Sequence, residues 1–205
     1  MAFYADHMFP RLMDWSMGTR RFQEMRKEAL APAYGHVLEI GFGTGLNVPH
    51  YPAAVTRLTA LDPGRHLQKK VARRTAAAAM PIELVHLSAE TLPFDDHRFD
   101  CVASTWTLCT IPDVVAALRE ARRVLKPDGK FIFIEHGRSD DATVATWQDR
   151  LNPLQRVIAC GCNLNRPIAT LIAQAGLKME HLDRFRMAGV PRVGGEMYRG
   201  IAAPS

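Results

Sequence analysis

The run Val37-Leu38-Glu39-Ile40-Gly41-Phe42-Gly43-Thr44-Gly45-Leu46-Asn47 leaves few alternatives for the structure around it. A short apolar stretch ending in alternate glycines reads as a buried parallel strand. It enters a tight turn where the backbone approaches a ligand and a helix begins. The spacing is Gly-x-Gly-x-Gly rather than the Gly-x-Gly-x-x-Gly of the dinucleotide fingerprint, and Glu39 stands just before the first glycine. A carboxylate there repels a pyrophosphate and suits a cationic ligand. The plain alternative is an ordinary strand-to-helix turn.

The chain beyond this turn keeps alternating. Asn47 to Tyr51 is expected to continue the first helix until Pro52, and Arg57 to Asp62 reads as the second strand. Asp62, at that strand's end, is where a ribose diol would be gripped, because a carboxylate accepts both hydroxyl hydrogens. A cationic nucleoside with no phosphate that satisfies Glu39 is S-adenosylmethionine. Pro63-Gly64 breaks the strand, Arg65 to Ala79 has helical composition, and Ile82 to Leu87 and Phe99 to Ser104 read as the third and fourth strands. A helix from Asp113 to Leu125, capped by the Asp113 side chain, stops at Lys126-Pro127-Asp128-Gly129 before a fifth strand, Lys130 to Glu135. Such alternation predicts a doubly wound, mostly parallel sheet with ligands at the carboxyl ends of its strands. In the last third, Ala142 to Leu151, Pro153 to Ala159 and Pro167 to Ala175 read as helices, the last closed by Gly176. Leu177 to Phe185 and Met197 to Ala202 read as an antiparallel pair.

Composition narrows the function classes. A chain of 205 residues, 47% hydrophobic and 23% charged, fits a single core domain (35–205) with an N-terminal helical cap (1–34). In that cap Tyr4, Met8, Leu12, Trp15, Phe22 and Met25 fall at near-helical spacing. The cap could act as a lid, line a pocket, lie on a membrane surface or simply pack on the domain. With no long uncharged apolar run and no charged leader, a cytoplasmic location is expected, with peripheral membrane contact through the N-terminal segment as the other option. The net charge of +5 is modest. Its densest cluster, Arg65, Lys69, Lys70, Arg73 and Arg74, lacks interleaved aromatics, so it reads as a solvated face and no nucleic-acid partner is expected. Cys101, Cys109, Cys160 and Cys162 fit neither a disulfide framework nor the paired spacing of a zinc site; they read as reduced thiols, and no metal is expected.

Taken together, the glycine run, Asp62, Ala89-Glu90-Thr91-Leu92-Pro93-Phe94, Phe99-Asp100 and Leu125-Lys126-Pro127-Asp128-Gly129 resemble the class I S-adenosylmethionine-dependent methyltransferases. The resemblance implies a Rossmann-like seven-stranded sheet with an antiparallel C-terminal strand. It also implies a cofactor site: Glu39, Gly41, Phe42, Gly43, Gly45 and Asn47 near the methionine portion, Asp62 and Pro63 by the ribose, Ala89 and Glu90 around the adenine, and Ser104 and Thr105 beneath the sulfonium. The family usually carries Asp-Ala where this chain has Ser88-Ala89. A narrower resemblance, through Leu108-Cys109-Thr110, Glu135-His136, Trp147-Gln148 and Gly161-Cys162-Asn163-Leu164, is to the membrane-associated alkyl-thiol S-methyltransferases of mammals. It implies a small-molecule acceptor, a thiol or hydrogen sulfide, with N- or C-methylation of a membrane lipid such as phosphatidylethanolamine or a quinone precursor as the alternative.

On this reading His136, just past the fifth strand, is the candidate proton acceptor or thiolate-orienting donor; a structural hydrogen-bonding role is the alternative. Trp106 and Trp147 would wall an apolar pocket or pack in the core. Cys109 and Cys162 would line that pocket or serve as small buried hydrophobes, and Asn163 would orient a substrate or cap a turn. Tyr4 and His7 could reach the site from the cap.

Overall fold

The structure is a computed structural model that describes residues 3–65 and 67–205, so Met1, Ala2 and His66, within stretches expected to be helical, lie outside the described residues. Seven strands form its sheet: β1 Gly35–Ile40, β2 Val55–Leu61, β3 Ile82–Val85, β4 Phe99–Thr105, β5 Leu125–His136, β6 Leu177–Arg186 and β7 Glu196–Pro204. Their order is β3-β2-β1-β4-β5-β7-β6. The pairs from β3 to β5 are parallel, and β7 runs antiparallel to both β5 and β6. This is the doubly wound sheet with a reversed last strand that the sequence predicts. Strand order reverses between β1 and β4, which opens a crevice at their carboxyl ends.

A single π-helical turn, Tyr4–Met8, leads into α1 Phe9–Ser16; the other helices are α2 Arg20–Leu30, α3 Gln68–Ala76, α4 Val114–Val124, α5 Ala142–Ile158, α6 Ile168–Gln174 and α7 Arg192–Gly195. Strand alternation sends Leu38, Ile40, Val102, Phe131 and Phe133 into one core, and Val37, Cys101, Ala103 and Ile132 into the core on the opposite face. The first core is covered by α4, whose Val114, Ala117, Leu118, Ala121 and Val124 recur at helical spacing and are all buried. Asp113 starts that helix by accepting a hydrogen bond from the Ala116 amide (2.9 Å). On the opposite face α2 sends Leu30 into the second core, and its Met25 and Ala29 pack with Ile134. Thus α2 belongs to the packed body of the protein, while α1 lies over the crevice.

Beyond shifted ends, an earlier start of β5 at Leu125 and the unexpected short α7, two differences from the sequence reading involve proline. Asn47 to Tyr51 does not continue a helix; only a 3₁₀ turn, Val48–His50, forms, because Pro49 and Pro52 remove backbone donors and hold the segment in separate short turns. Conversely, the two helices expected on either side of Asn152 are one, with Pro153 inside it. An internal proline costs a free helix roughly 3 kcal/mol. Here the helix is anchored before the proline by Asp141, which caps the Thr143 and Val144 amides, and by buried Gln148. Beside the proline, Asn152 accepts from the Leu164 amide (2.8 Å).

Replacing Leu118 by Ala should lower unfolding free energy by roughly 3 kcal/mol, and Asp113→Ala by about 1 kcal/mol, in urea titrations. Equal losses would contradict the division between a packed core position and a helix cap.

Candidate active site

The glycine turn after β1 is fastened to β2: the Gly41 and Phe42 amides both donate to the Leu61 carbonyl (2.9 and 3.1 Å). Gly41 has φ +79°, and a Cβ there would run into the Thr107 side chain; Gly43 has φ +56° and faces open space. The turn therefore presents bare backbone to the crevice. Asp62 lies across from it, one carboxylate oxygen accepting from the Gly43 amide (2.7 Å) and the other from the Gly64 amide (2.8 Å). Each oxygen keeps a further lone pair for a ligand hydroxyl.

Beneath the turn lies a buried polar network. The Glu39 carboxylate accepts from Tyr51 Oη (2.7 Å) and Asn47 Nδ2 (2.8 Å). Burial pushes its pKa up to about 7, against the pull of those two hydrogen bonds and of Arg26. The Arg26 guanidinium donates to Asn47 Oδ1 (2.8 Å) and Thr105 Oγ1 (2.9 Å) and lies over the Trp106 ring at 4.8 Å; burial lowers its pKa to about 10. Arg26 Nε and Ser104 Oγ are buried with no hydrogen-bond partner among the described residues. Trp106 has φ +49°, a strained conformation for a bulky residue, at the point where β4 leaves the sheet.

The α1 helix is pinned over this end by Asp14. Its carboxylate accepts from Thr44 Oγ1 in the glycine turn (2.6 Å) and pairs with Arg74 (2.6 Å) and Lys70 on α3. Burial pushes the Asp14 carboxyl up, but the bonds from Arg74, Lys70 and Thr44 outweigh it and hold the pKa at about 2. Lys70 and Arg74 thus have a structural task, whereas Lys69 and Arg73 in the same cluster are exposed.

The far end of the crevice is built by three separate segments. Cys109 follows β4, His136 ends β5 and Cys162 follows α5; His136 Nε2 and Cys162 Sγ are 3.2 Å apart. The hydrogen bond shared with Cys162, together with burial, pushes the Cys109 thiol well up. The same bond, with help from His136, pulls the Cys162 thiol down. Burial alone would lower the His136 pKa, but its bond with Cys162 and the neighbouring Glu135 raise it overall. Glu135 is fully buried, which raises its own pKa, and it accepts from the Cys109 amide (3.2 Å) and the His136 amide (3.0 Å).

Both ends share one cleft of about 1070 Å³, large enough for a nucleoside and a second molecule. Of the residues predicted for the cofactor, Glu39, Gly41, Phe42, Gly43, Asn47 and Asp62 line it, as do Pro63, Ala89 and Thr105; so do Trp106, Cys109 and His136 from the acceptor side. Gly45 instead closes the turn, its amide donating to the Phe42 carbonyl (3.0 Å), and Ser104 lies below the lining at 1% exposure. Glu90 is not among the lining residues, its carboxylate accepting from Ser88 Oγ and the Asp113 amide (both 2.7 Å). Asn163 is a clamp: its side chain donates to the Cys109 and Gly161 carbonyls (2.8 and 3.0 Å). Trp147 is exposed on α5 against Arg150, and His7 is exposed beside Phe3, whereas Tyr4 does line the cleft. Sequence reasoning missed Asp14, Arg26 and Tyr51. Only the polar interruption of an otherwise amphipathic α1 and α2 hinted at the first two.

Residues 38–133 match the family described as "Methyltransferase domain", and the chain belongs to the class I S-adenosylmethionine-dependent methyltransferases. Human thiol S-methyltransferase TMT1B is 33% identical over 77% of this chain and 70% of its own length. Human thiol S-methyltransferase TMT1A is 32% identical over 72% of this chain, which spans 63% of that relative. In fold, a methyltransferase of Thermotoga maritima superposes with a TM-score of 0.69 at 19% identity, covering 97% of this chain and 99% of its own.

Removing the Asp14 charge should loosen α1 from the glycine turn. Asp14→Asn should speed hydrogen exchange of α1 amides by about 30-fold, equivalent to roughly 2 kcal/mol, with β1 amides unchanged. Because the folded Asp14 pKa is depressed to about 2, the wild-type tie holds above about pH 4 and is lost as pH falls through 2.

Proposed function

We propose that the chain transfers the methyl group of S-adenosylmethionine to a small apolar thiol, hydrogen sulfide included. The observation that carries this reading is a single cleft with two chemically distinct ends. One end suits a zwitterionic nucleoside: Glu39 offers an anion to the ammonium of the methionine portion, and the unpaired Nε of Arg26 offers a donor to its carboxylate. Asp62 accepts the ribose hydroxyls, Pro63 and Ala89 border the nucleoside, and Thr105 closes the site near the sulfonium. When bound, the cofactor supplies an activated methyl group. The chain itself supplies alignment, dry walls and a place for the acceptor sulfur.

The other end suits the acceptor. Ile111, Leu151, Leu154 and Ile158 give an alkyl group an apolar wall, and Cys109, His136 and Cys162 stand where its sulfur would sit. His136 orients that sulfur and favours its thiolate. The names carried by human TMT1A and TMT1B support the same substrate class. The α1 segment, tied by Asp14, serves as the lid over the cofactor.

A second reading is favoured by the cleft's rim. Phe3, Met8, Leu12 and Trp15 at the N-terminus, and Leu154, Val157 and Ile158 on α5, are large apolar side chains left exposed, and Tyr4 Oη donates to the Ile158 carbonyl (2.9 Å) to join the two segments. No helix among the described residues is long and apolar enough to cross a membrane. Such a rim suits contact with a bilayer surface, from which a lipid or quinone precursor would enter.

Purified protein should form S-adenosylhomocysteine with a short alkyl thiol in saturable fashion and without vesicles, and His136→Ala should lower kcat at least 100-fold while the Kd for S-adenosylhomocysteine stays within about twofold. Turnover only with phosphatidylethanolamine vesicles would transfer the assignment to the second reading. Protonating Glu39, with its pKa of about 7, removes the charge that faces the ammonium. Cofactor affinity should therefore fall about tenfold from pH 8 to pH 6, and Glu39→Gln should flatten that dependence in calorimetric titrations.

A further inference from the structure

We propose that Cys109, His136 and Cys162 bind one thiophilic divalent cation of the zinc class, whose fourth coordination position opens into the acceptor end of the cleft and takes the acceptor's sulfur. The coordination of the acceptor rests on the thiol reading above; the metal site does not.

The two sulfurs and the imidazole nitrogen lie within 4.8 Å of one another. Around tetrahedral zinc, with Zn–S near 2.3 Å and Zn–N near 2.0 Å, neighbouring donors stand roughly 3.6 to 3.8 Å apart, so small side-chain rotations suffice. Two thiolates and an imidazole select a soft or borderline ion over magnesium or calcium. Three protein donors with an open fourth position form the pattern of a reactive zinc site rather than a closed structural one. All three donors line the cleft that also contains the glycine turn and Asp62.

The donors are also held in place before any ion arrives. The Cys109 amide donates to Glu135 and its carbonyl accepts from both the Asn163 amide (3.0 Å) and side chain (2.8 Å). His136 is fixed as the last residue of β5, and its amide donates to Glu135. Cys162 follows the α5 terminus, where Gln155 Nε2 approaches its sulfur at 3.7 Å and the Cys162 amide donates to the Ala159 carbonyl (3.1 Å). Such surrounding hydrogen bonds are what orient metal ligands. Arg166, half-buried and bonded to the Leu108 carbonyl, sets a positive charge beside the sulfurs.

The chemistry balances. A free alkyl thiol with pKa near 8.5 to 10 is about a per cent thiolate at neutral pH, whereas a coordinated thiol is deprotonated outright. The acceptor R–SH loses its proton to solvent on binding. Its sulfur pair then forms the new S–CH₃ bond as the sulfonium S–CH₃ bond breaks, that pair remaining on the sulfur of S-adenosylhomocysteine. An anion and a sulfonium cation become two neutral thioethers, and the methylated product, a weaker ligand than a thiolate, leaves.

The test is a Co²⁺ titration of full-length protein, stripped of metal by chelator under reducing conditions. One equivalent should give sulfur-to-cobalt charge-transfer absorption with the strong visible bands of a tetrahedral site, and Zn²⁺ should bleach both. The double variant Cys109→Ser, Cys162→Ser should bind Co²⁺ at least 100-fold more weakly, and Cys160→Ser within about twofold of wild type. Unchanged S-adenosylhomocysteine affinity in the variants would show that they fold. Ethanethiol should shift the visible bands. An absent spectrum, or one unaltered in the double variant, would overturn the site. Visible bands indifferent to ethanethiol, or full thiol methylation by the metal-free protein, would overturn acceptor coordination while leaving the thiol reading intact. Stoichiometric metal with no methylation of any thiol would overturn the thiol reading and leave the metal site standing.

Discussion

A carboxylate with almost no access to water sits at the carboxyl end of the central strand, and much of the molecule is arranged to tolerate it. An isolated ionised carboxyl in such a place costs several kcal/mol unless it is paired and hydrogen-bonded. Glu39 obtains its bonds from Tyr51 and Asn47, just past the glycine turn, and its nearest cation from Arg26 on α2. Arg26 in turn reaches Thr105 at the end of β4. One buried charge thereby ties the N-terminal helix, the turn and the strands on either side of the switch point into a single unit. Arg26 thereby adds a polar tie to the apolar packing of Met25, Ala29 and Leu30 that sets α2 in the body of the domain.

The crevice that opens above Glu39 inherits its division of labour from strand order. The chain leads from β1 and from β4 to strands on opposite sides of this parallel pair, so the turn after β1 meets the loops after β2 and β4, and the end of β5 adds a further wall. On the β2 side the polar groups are carboxylates and bare backbone amides. On the β5 side they are two thiols, an imidazole and a buried glutamate among apolar side chains. These two environments share one cleft, the first suited to the cationic cofactor, and α1, held by Asp14, covers that first end.

The fold was legible because its signals are local. Apolar runs at Val37–Ile40 and Phe131–Ile134, the glycines at alternate positions, the Asp113 cap and the acidic residue after β2 all act over a few residues, and the structure carries each of them. Local rules failed where prolines competed with tertiary anchoring. Pro49 and Pro52 kept the segment after the glycine turn short, while Pro153 was absorbed because Asp141, Gln148 and Asn152 held the helix up to the proline. At the site, Glu39 and Asp62 could be singled out from their places at strand ends. Glu90 and Asn163, expected around the adenine and the acceptor, lie outside the cleft lining and spend their hydrogen bonds on neighbouring loops, contacts that no local pattern signals.

The sequence by itself determined the strand-turn unit, the alternation of helices and strands, and with them the family and the kind of cofactor that the family uses. The first two follow from side-chain period and glycine conformational freedom, which are properties of contiguous residues, and the family and cofactor from the resemblance that the glycine run, Asp62 and the later motifs carry. Only the tertiary structure decided that Arg26 would lie beneath Glu39, that Asp14 would bridge Thr44 and α3, and that Cys109, His136 and Cys162 would converge. Their meeting depends on strand order and on where three separate loops end, and no spacing along the chain encodes a distance across the sheet.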